Sequence, residues 1–163
     1  AFYAVVSVDD MGFDLARESV HDLIERAGRI KKTISTQFEI HHPEGAADLN
    51  FLYGTIFVQN GAEKGKSRNV CIFAEGEVDR SPTGTGVSGR AALLFARGEI
   101  SLGETVTIES ILGTSFDVTA ERETRIGPIA GIIPRVTGKA HITGFHTFQI
   151  DPRDPLKKGF ILR

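Results

Sequence analysis

The chain has 163 residues, 40% of them hydrophobic and 25% charged, a globular composition rather than a disordered one. Lys and Arg number 19 against 21 Asp and Glu, and the net charge of −2 removes the usual electrostatic reason to expect nucleic acid or an anionic membrane as a partner. No apolar stretch reaches the ~18 residues of a membrane span, no signal-peptide pattern is present, and the length suits one domain, or one and a half, whose core needs no staple.

The chain opens straight into a β-rich run, Phe2 to Val8, with no lead-in, and reads as if cut from something longer. Asp9-Asp10-Met11-Gly12 turns it, and Asp14 is an expected N-cap for a helix from Leu15 to about Ile34. Val20, Leu23, Ile24, Ala27, Ile30 and Ile34 fall at helical spacing, leaving Arg17, Glu18, Asp22, Glu25, Arg26 and Arg29 for solvent. Strands are then expected over 50–58, 69–74, 104–111, 115–119, 129–136, 139–143 and 146–150, separated by Gly, Pro, Asn or Asp. Lys64-Gly65-Lys66-Ser67-Arg68 is expected as an exposed hairpin loop. Cys71, the one cysteine, lies inside a strand pattern as a buried structural thiol and fits a reducing, cytoplasmic compartment.

A second helix, Val87 to Arg97, ends at Gly98 and leaves almost no polar face, the pattern of a buried helix. Strands outnumber helices and do not alternate with them, so the fold class is α+β, with a curved mixed or antiparallel sheet wrapped around this central helix. Glycine is in excess, 18 of 163 residues or about 11%, against an average of about 7%.

Asp79-Arg80-Ser81-Pro82-Thr83-Gly84-Thr85-Gly86 precedes the second helix. The proline restricts this loop, the glycines permit close backbone approach, and free N–H groups at a helix start attract anions. A carboxylate or phosphate site and a helix start with nothing bound both fit these residues. Gly84-x-Gly86-x-x-Gly89, with Glu109 about twenty residues on, also matches a dinucleotide fingerprint. Four residues separate the strand from the first glycine and no repeated βαβ units surround it, which argues against a nucleotide. His41 and His42 are adjacent, His141 and His146 are five apart, and His21 lies on a polar helix face, so no metal ligand spacing is present and no metal is expected.

The stretch from Asp79 to Ser88 resembles the signature loop of the proline racemase family, which includes proline racemases, hydroxyproline 2-epimerases and trans-3-hydroxy-L-proline dehydratases. The opening Phe2-Tyr3-Ala4-Val5-Val6, the stretches Glu109 to Gly113 and Val136 to Gly144, and the ending Asp151 to Phe160 resemble that family as well. The resemblance implies a diaminopimelate-epimerase-like fold, with residues 1–150 forming the second of two lobes. Residues 151–163 would be a C-terminal segment returning to an N-terminal lobe outside this chain.

It also implies roles. Racemases and epimerases of this kind carry a cysteine where Thr83 stands, acting as one of two acid/bases on opposite faces of the substrate α-carbon. A thiol reaches the thiolate near neutral pH when its site lowers the pKa, and a threonine hydroxyl does not. Thr83 in its place resembles the trans-3-hydroxy-L-proline dehydratases, which remove one α-proton and expel the C3 hydroxyl as water, leaving a pyrroline-2-carboxylate. No Met-Cys-Gly-His-type motif for the opposing base occurs here, so the 163 residues are expected to be inactive alone. By resemblance Thr83 is catalytic, Asp79 binds the ring nitrogen, Gly84 and Thr85 hold the substrate carboxylate through their N–H groups, and Phe73 forms an apolar wall. The expected partner is a small imino acid, with no cofactor; epimerase or racemase activity and a non-catalytic binding lobe are the alternatives. A homodimer is left open.

Overall fold

A computed structural model describes residues 1–16 and 18–161. Arg17, placed above on the solvent face of the first helix, and Leu162 and Arg163 lie outside the described residues.

The described strands are β1 (Phe2–Ser7), β2 (Leu52–Asn60), β3 (Lys66–Phe73), β4 (Glu77–Val78), β5 (Thr105–Glu109), β6 (Ser115–Ile126) and β7 (Ile129–Thr137). They form one mixed sheet in the order β1-β2-β3-β5-β6-β7, with β4 paired to β3 off that path. The β1–β2 and β3–β5 pairs are parallel and the others antiparallel. The sheet curls into a half-barrel with two helices, α1 (Val20–Gln37) and α2 (Gly84–Ala96), so the α+β class holds.

Side chains alternate across a strand, and here the alternation assigns each helix its own face. On one face Phe57, Val70 and Ile72 pack against Leu23 and Ala27 of α1, together with Val8 and Leu15. On the other, Ile56, Val58 and Cys71 meet Tyr3, Val5 and Phe73, and Val87, Ala91 and Leu94 of α2 pack on Val106, Ile108, Val118, Ala120 and Ile132. Burying one such aliphatic side chain contributes about 1.5–3 kcal/mol, so these clusters hold the helices to the sheet.

Several boundaries depart from the sequence expectation. Helix α1 starts at Val20 with Ser19 as its cap, the Ser19 side chain accepting from the Asp22 N–H at 3.1 Å. Asp14 is engaged elsewhere, accepting from the Ala16 N–H at 2.9 Å and from Gln59 Nε2 at 3.1 Å. Lys66 to Arg68 belong to β3 rather than to a loop, and Arg68 pairs with Glu109 at 3.1 Å. Strand β6 continues past Thr119 to Ile126 as a charged, exposed ribbon with β7, its register shifting between Ala120 and Arg122.

The expected strands over 139–143 and 146–150 do not form. Residues 138–161 carry no strand or helix and are exposed, with Phe145 at 91% and Phe148 at 87%. Among the described residues no strand pairs with them, and an unpaired strand has nothing to hold it. Helix α2 is also not buried all round. Its stripe of Gly86, Val87, Arg90, Ala91 and Leu94 is buried, while Leu93 and Phe95 are half-buried, because the half-barrel closes on one side of it. Its stop is as expected, Gly98 taking the left-handed φ of 71°.

Candidate functional site

The loop from Asp79 to Thr83 is tied by its own side chains. Asp79 Oδ1 accepts the Ser81 N–H at 2.8 Å, Ser81 Oγ accepts the Thr83 N–H at 3.0 Å, and the Thr83 hydroxyl donates to Asp79 Oδ2 at 2.9 Å. The Asp79 N–H donates to the Cys71 carbonyl at 3.1 Å, which anchors the loop to β3. Pro82 is fully buried beneath it.

Thr83 then turns the chain into α2 at φ 69°, ψ 104°, a left-handed conformation that a β-branched residue avoids elsewhere. Such a conformation costs about 1–3 kcal/mol and persists only where the surroundings impose it. Here the three hydrogen bonds and the packing under Gly86 impose it. A Cβ at Gly86 would lie 2.7 Å from Ile56 Cδ1 and 3.2 Å from Thr83 Cβ, so glycine lets α2 start this close to the sheet without displacing the Ile56 tip or Thr83.

The first free N–H groups of a helix have no intrahelical partner. In α2 no side chain caps them: Thr83 occupies the cap position and its hydroxyl is turned to Asp79 instead. Gly84 and Thr85 are exposed, so their N–H groups, backed by the positive end of the helix dipole, are open to an anion. Thr83 is 7% exposed, a buried hydroxyl at the edge of that surface.

Aromatic side chains border the loop. The Tyr3 hydroxyl is hydrogen-bonded to Thr85 Oγ1 at 2.6 Å. Tyr3 meets Tyr53 edge-on at 5.6 Å, and Tyr53 stacks on Phe73 at 5.5 Å with an interplanar angle of 7°. Burial raises the Tyr3 pKa above the ordinary phenol value, keeping the hydroxyl neutral as a donor or acceptor. Phe73 thus stands on the same sheet face as Cys71 and Tyr3, as part of an aromatic row. Tyr3, Tyr53 and Ser81 were not singled out by the sequence; a tyrosine entering a site through parallel strand pairing has no local spacing signal.

Beneath the loop, Cys71 is fully buried and reduced. Burial pushes its thiol up to about 11, which keeps it from acting as a thiolate at neutral pH. Glu109, a candidate ribose ligand, is instead paired with Arg68 at 3.1 Å, and the dinucleotide motif has no acid in place. Among the described residues no group of three or more His, Cys, Asp or Glu could hold a metal ion, and no helix is long and apolar enough to cross a membrane. Three cavities of about 230, 450 and 340 Å³ lie away from the loop. The loop itself is an open wall with an acid, a hydroxyl, two free N–H groups and an aromatic border, an arrangement suited to a small zwitterion held from one side.

The chain is 49% identical over 164 residues to a trans-3-hydroxy-L-proline dehydratase of Colwellia psychrerythraea, covering 100% of this chain and 46% of that protein. It is 43% identical over 166 residues to a 3-hydroxyproline 2-epimerase of Burkholderia multivorans, covering 100% of this chain and 49% of that one. The chain therefore spans about half the length of the curated relatives it matches. Among solved structures, a probable proline racemase from Agrobacterium radiobacter with bound carbonate superposes with a TM-score of 0.83 at 32% identity, covering 98% of this chain and 46% of that one. A hydroxyproline epimerase from Agrobacterium vitis with bound trans-4-hydroxy-L-proline superposes with a TM-score of 0.76 at 30% identity, again over 98% and 46%. The family model described as proline racemase matches residues 1–161, and with the Asp79–Thr85 loop at the head of α2 the chain belongs to the proline racemase family.

Proposed function

We propose that this chain supplies one wall of the active site of a cofactor-independent trans-3-hydroxy-L-proline dehydratase, the opposing base coming from a second lobe. The observation that carries the reading is Thr83. At the position where a racemase needs a second titrating thiol, this chain has a hydroxyl that donates to Asp79 at 2.9 Å. A hydroxyl cannot exchange an α-proton near neutral pH, so proton transfer is confined to one face of the substrate. The relatives named trans-3-hydroxy-L-proline dehydratase at 43–49% identity support the same reading.

In this reading the substrate carboxylate takes the N–H groups of Gly84 and Thr85, which also stabilise charge that develops there when the α-proton leaves. The ring nitrogen, a cation, takes Asp79 Oδ2. That contact displaces the Thr83 hydroxyl, freeing it to donate to the C3 oxygen. The opposing base takes the α-proton, the electron pair forms the Cα–C3 double bond, and the C3–O bond breaks. The departing oxygen takes a proton from solvent through the Thr83 hydroxyl and leaves as water, the proton on the opposing base returns to solvent, and the enamine tautomerises to a pyrroline-2-carboxylate. Phe73, Tyr53 and Tyr3 border the ring on its apolar side.

The fold reading follows the same line: a diaminopimelate-epimerase-like pair of lobes, with residues 1–150 as one and the segment 151–163 returning to the other. The exposed Leu156, Phe160 and Ile161 of that segment support it, since such side chains fit a surface to cover them. A cytoplasmic setting fits the single reduced Cys71.

Epimerase activity is the second reading, favoured by the Burkholderia multivorans relative named 3-hydroxyproline 2-epimerase. Incubating the native-length protein with trans-3-hydroxy-L-proline and, separately, with L-proline separates the two. Pyrroline-2-carboxylate from the first and no racemisation of the second are expected. Epimerisation or racemisation without pyrroline would overturn the dehydratase reading, and turnover by the 163 residues alone would overturn the two-lobe site.

A further inference from the structure

Six residues beyond Gly84, about 9 Å along the helix, α2 carries an arginine that the reaction does not use. Arg90 is 7% exposed. Its Nη2 donates to Asn60 Oδ1 at 3.2 Å, and its Nε is buried with no acceptor. Among the described residues no carboxylate lies within ion-pair distance of it. A guanidinium has five donors, and burying one against a single neutral amide leaves its charge uncompensated.

Arg90 lines a cavity of about 340 Å³ together with Lys64, Lys66, Glu99 and Glu104. The two carboxylates have other partners: Glu104 Oε2 accepts the Ser101 N–H at 3.0 Å, and Glu99 Oε1 lies 3.9 Å from Arg97 Nη1. Lys66 is paired with Glu63 at 2.7 Å, whereas Lys64 forms no ion pair among the described residues. The cavity therefore presents the buried Arg90 guanidinium and the unpaired Lys64 ammonium against one carboxylate, Glu104, that is held only by a neutral N–H, a net positive lining with room for several atoms beyond a water. Burial also lowers the Arg90 pKa, with Glu99 acting against it, as expected for a cation short of a counter-ion.

We propose that this cavity is a second anion site, separate from the loop at Thr83, which takes a small dianion such as phosphate or a short dicarboxylate. Arg90 supplies the planar fork for two oxygens and Lys64 the second positive charge.

Titration calorimetry of the native-length protein with inorganic phosphate and with succinate, at constant ionic strength, tests it. Saturable binding of at least one dianion is expected, and which one binds identifies the ligand class. Lys64→Gln, an exposed loop change, should weaken that binding by about threefold or more with the melting temperature unchanged. Arg90→Lys keeps the charge but loses the fork and should weaken it by about tenfold or more. No saturable binding of either dianion would overturn the proposal. So would binding that Gly84→Pro abolishes and Lys64→Gln leaves intact, since that would place the anion at the head of α2.

Discussion

The two helices of this chain start in opposite ways. Helix α1 opens with Ser19, whose side chain satisfies the Asp22 N–H. Helix α2 opens with Thr83, strained at φ 69° and turned to Asp79, and its first turn is left open. Helix α1 has an ordinary amphipathic sequence, with Leu23 and Ala27 buried against the sheet. Helix α2 begins Gly84-Thr85-Gly86, residues poor at holding a helix start but able to bring backbone N–H groups up to a ligand. A capped helix has spent its donors on itself; an uncapped one held by the surrounding fold keeps them for a substrate. On the proposed reading the first is architecture and the second a binding surface.

That contrast breaks most readily at Asp79. Asp79→Asn keeps Oδ1 as the acceptor for Ser81 and reverses the Thr83 bond, Nδ2 now donating to Oγ1, so the loop holds while the charge that meets a ring ammonium is removed. In the native-length protein kcat/KM for trans-3-hydroxy-L-proline should fall roughly 30- to 1,000-fold, about 2–4 kcal/mol of transition-state binding, with little change in melting temperature.

Leu23→Ala should do the reverse. Leu23 is fully buried, and its truncation should lower unfolding free energy by about 3 kcal/mol while leaving kcat unchanged well below the melting transition. A loss of kcat with stability retained would show that α1 is not purely architectural.

A smaller effect comes from Cys71, under the loop. Its folded pKa of about 11 lies above the ordinary value of 9.0, so the folded state holds the proton more tightly than the unfolded chain. The resulting stability is fully present below pH 9 and is lost as pH rises from about 9 to 11, on the order of 2 kcal/mol. Denaturant titrations across that range should show the decline, and Cys71→Ala should flatten it.

Much of the loop was legible in the sequence because its bonds are local: Asp79, Ser81 and Thr83 reach one another within four residues. The Gly98 stop was legible for the same reason. The aromatic border was not. Tyr3 faces Gly54 through parallel β1–β2 pairing, about fifty residues apart, and Phe73 faces Gly54 from β3. Phe73 enters through the resemblance, on the strand before the loop, whereas Tyr3 and Tyr53 join the border only through register. The start of α1 was misplaced because Asp14 and Ser19 are both capping types, and Asp14 is committed to Ala16 and Gln59. The stretches 139–143 and 146–150 have strand composition, but composition does not supply a neighbouring strand.

Gly84→Pro tests the open helix start most directly. Proline is favoured at the first position of a helix and a Cβ at Gly84 meets nothing within 4 Å, so the substitution removes one N–H, and a melting curve checks that the strained Thr83 before it still holds. Turnover of trans-3-hydroxy-L-proline by the native-length variant should be abolished with the melting temperature kept. Wild-type turnover from a folded Gly84→Pro protein would contradict the account, because the substrate carboxylate would then be held elsewhere.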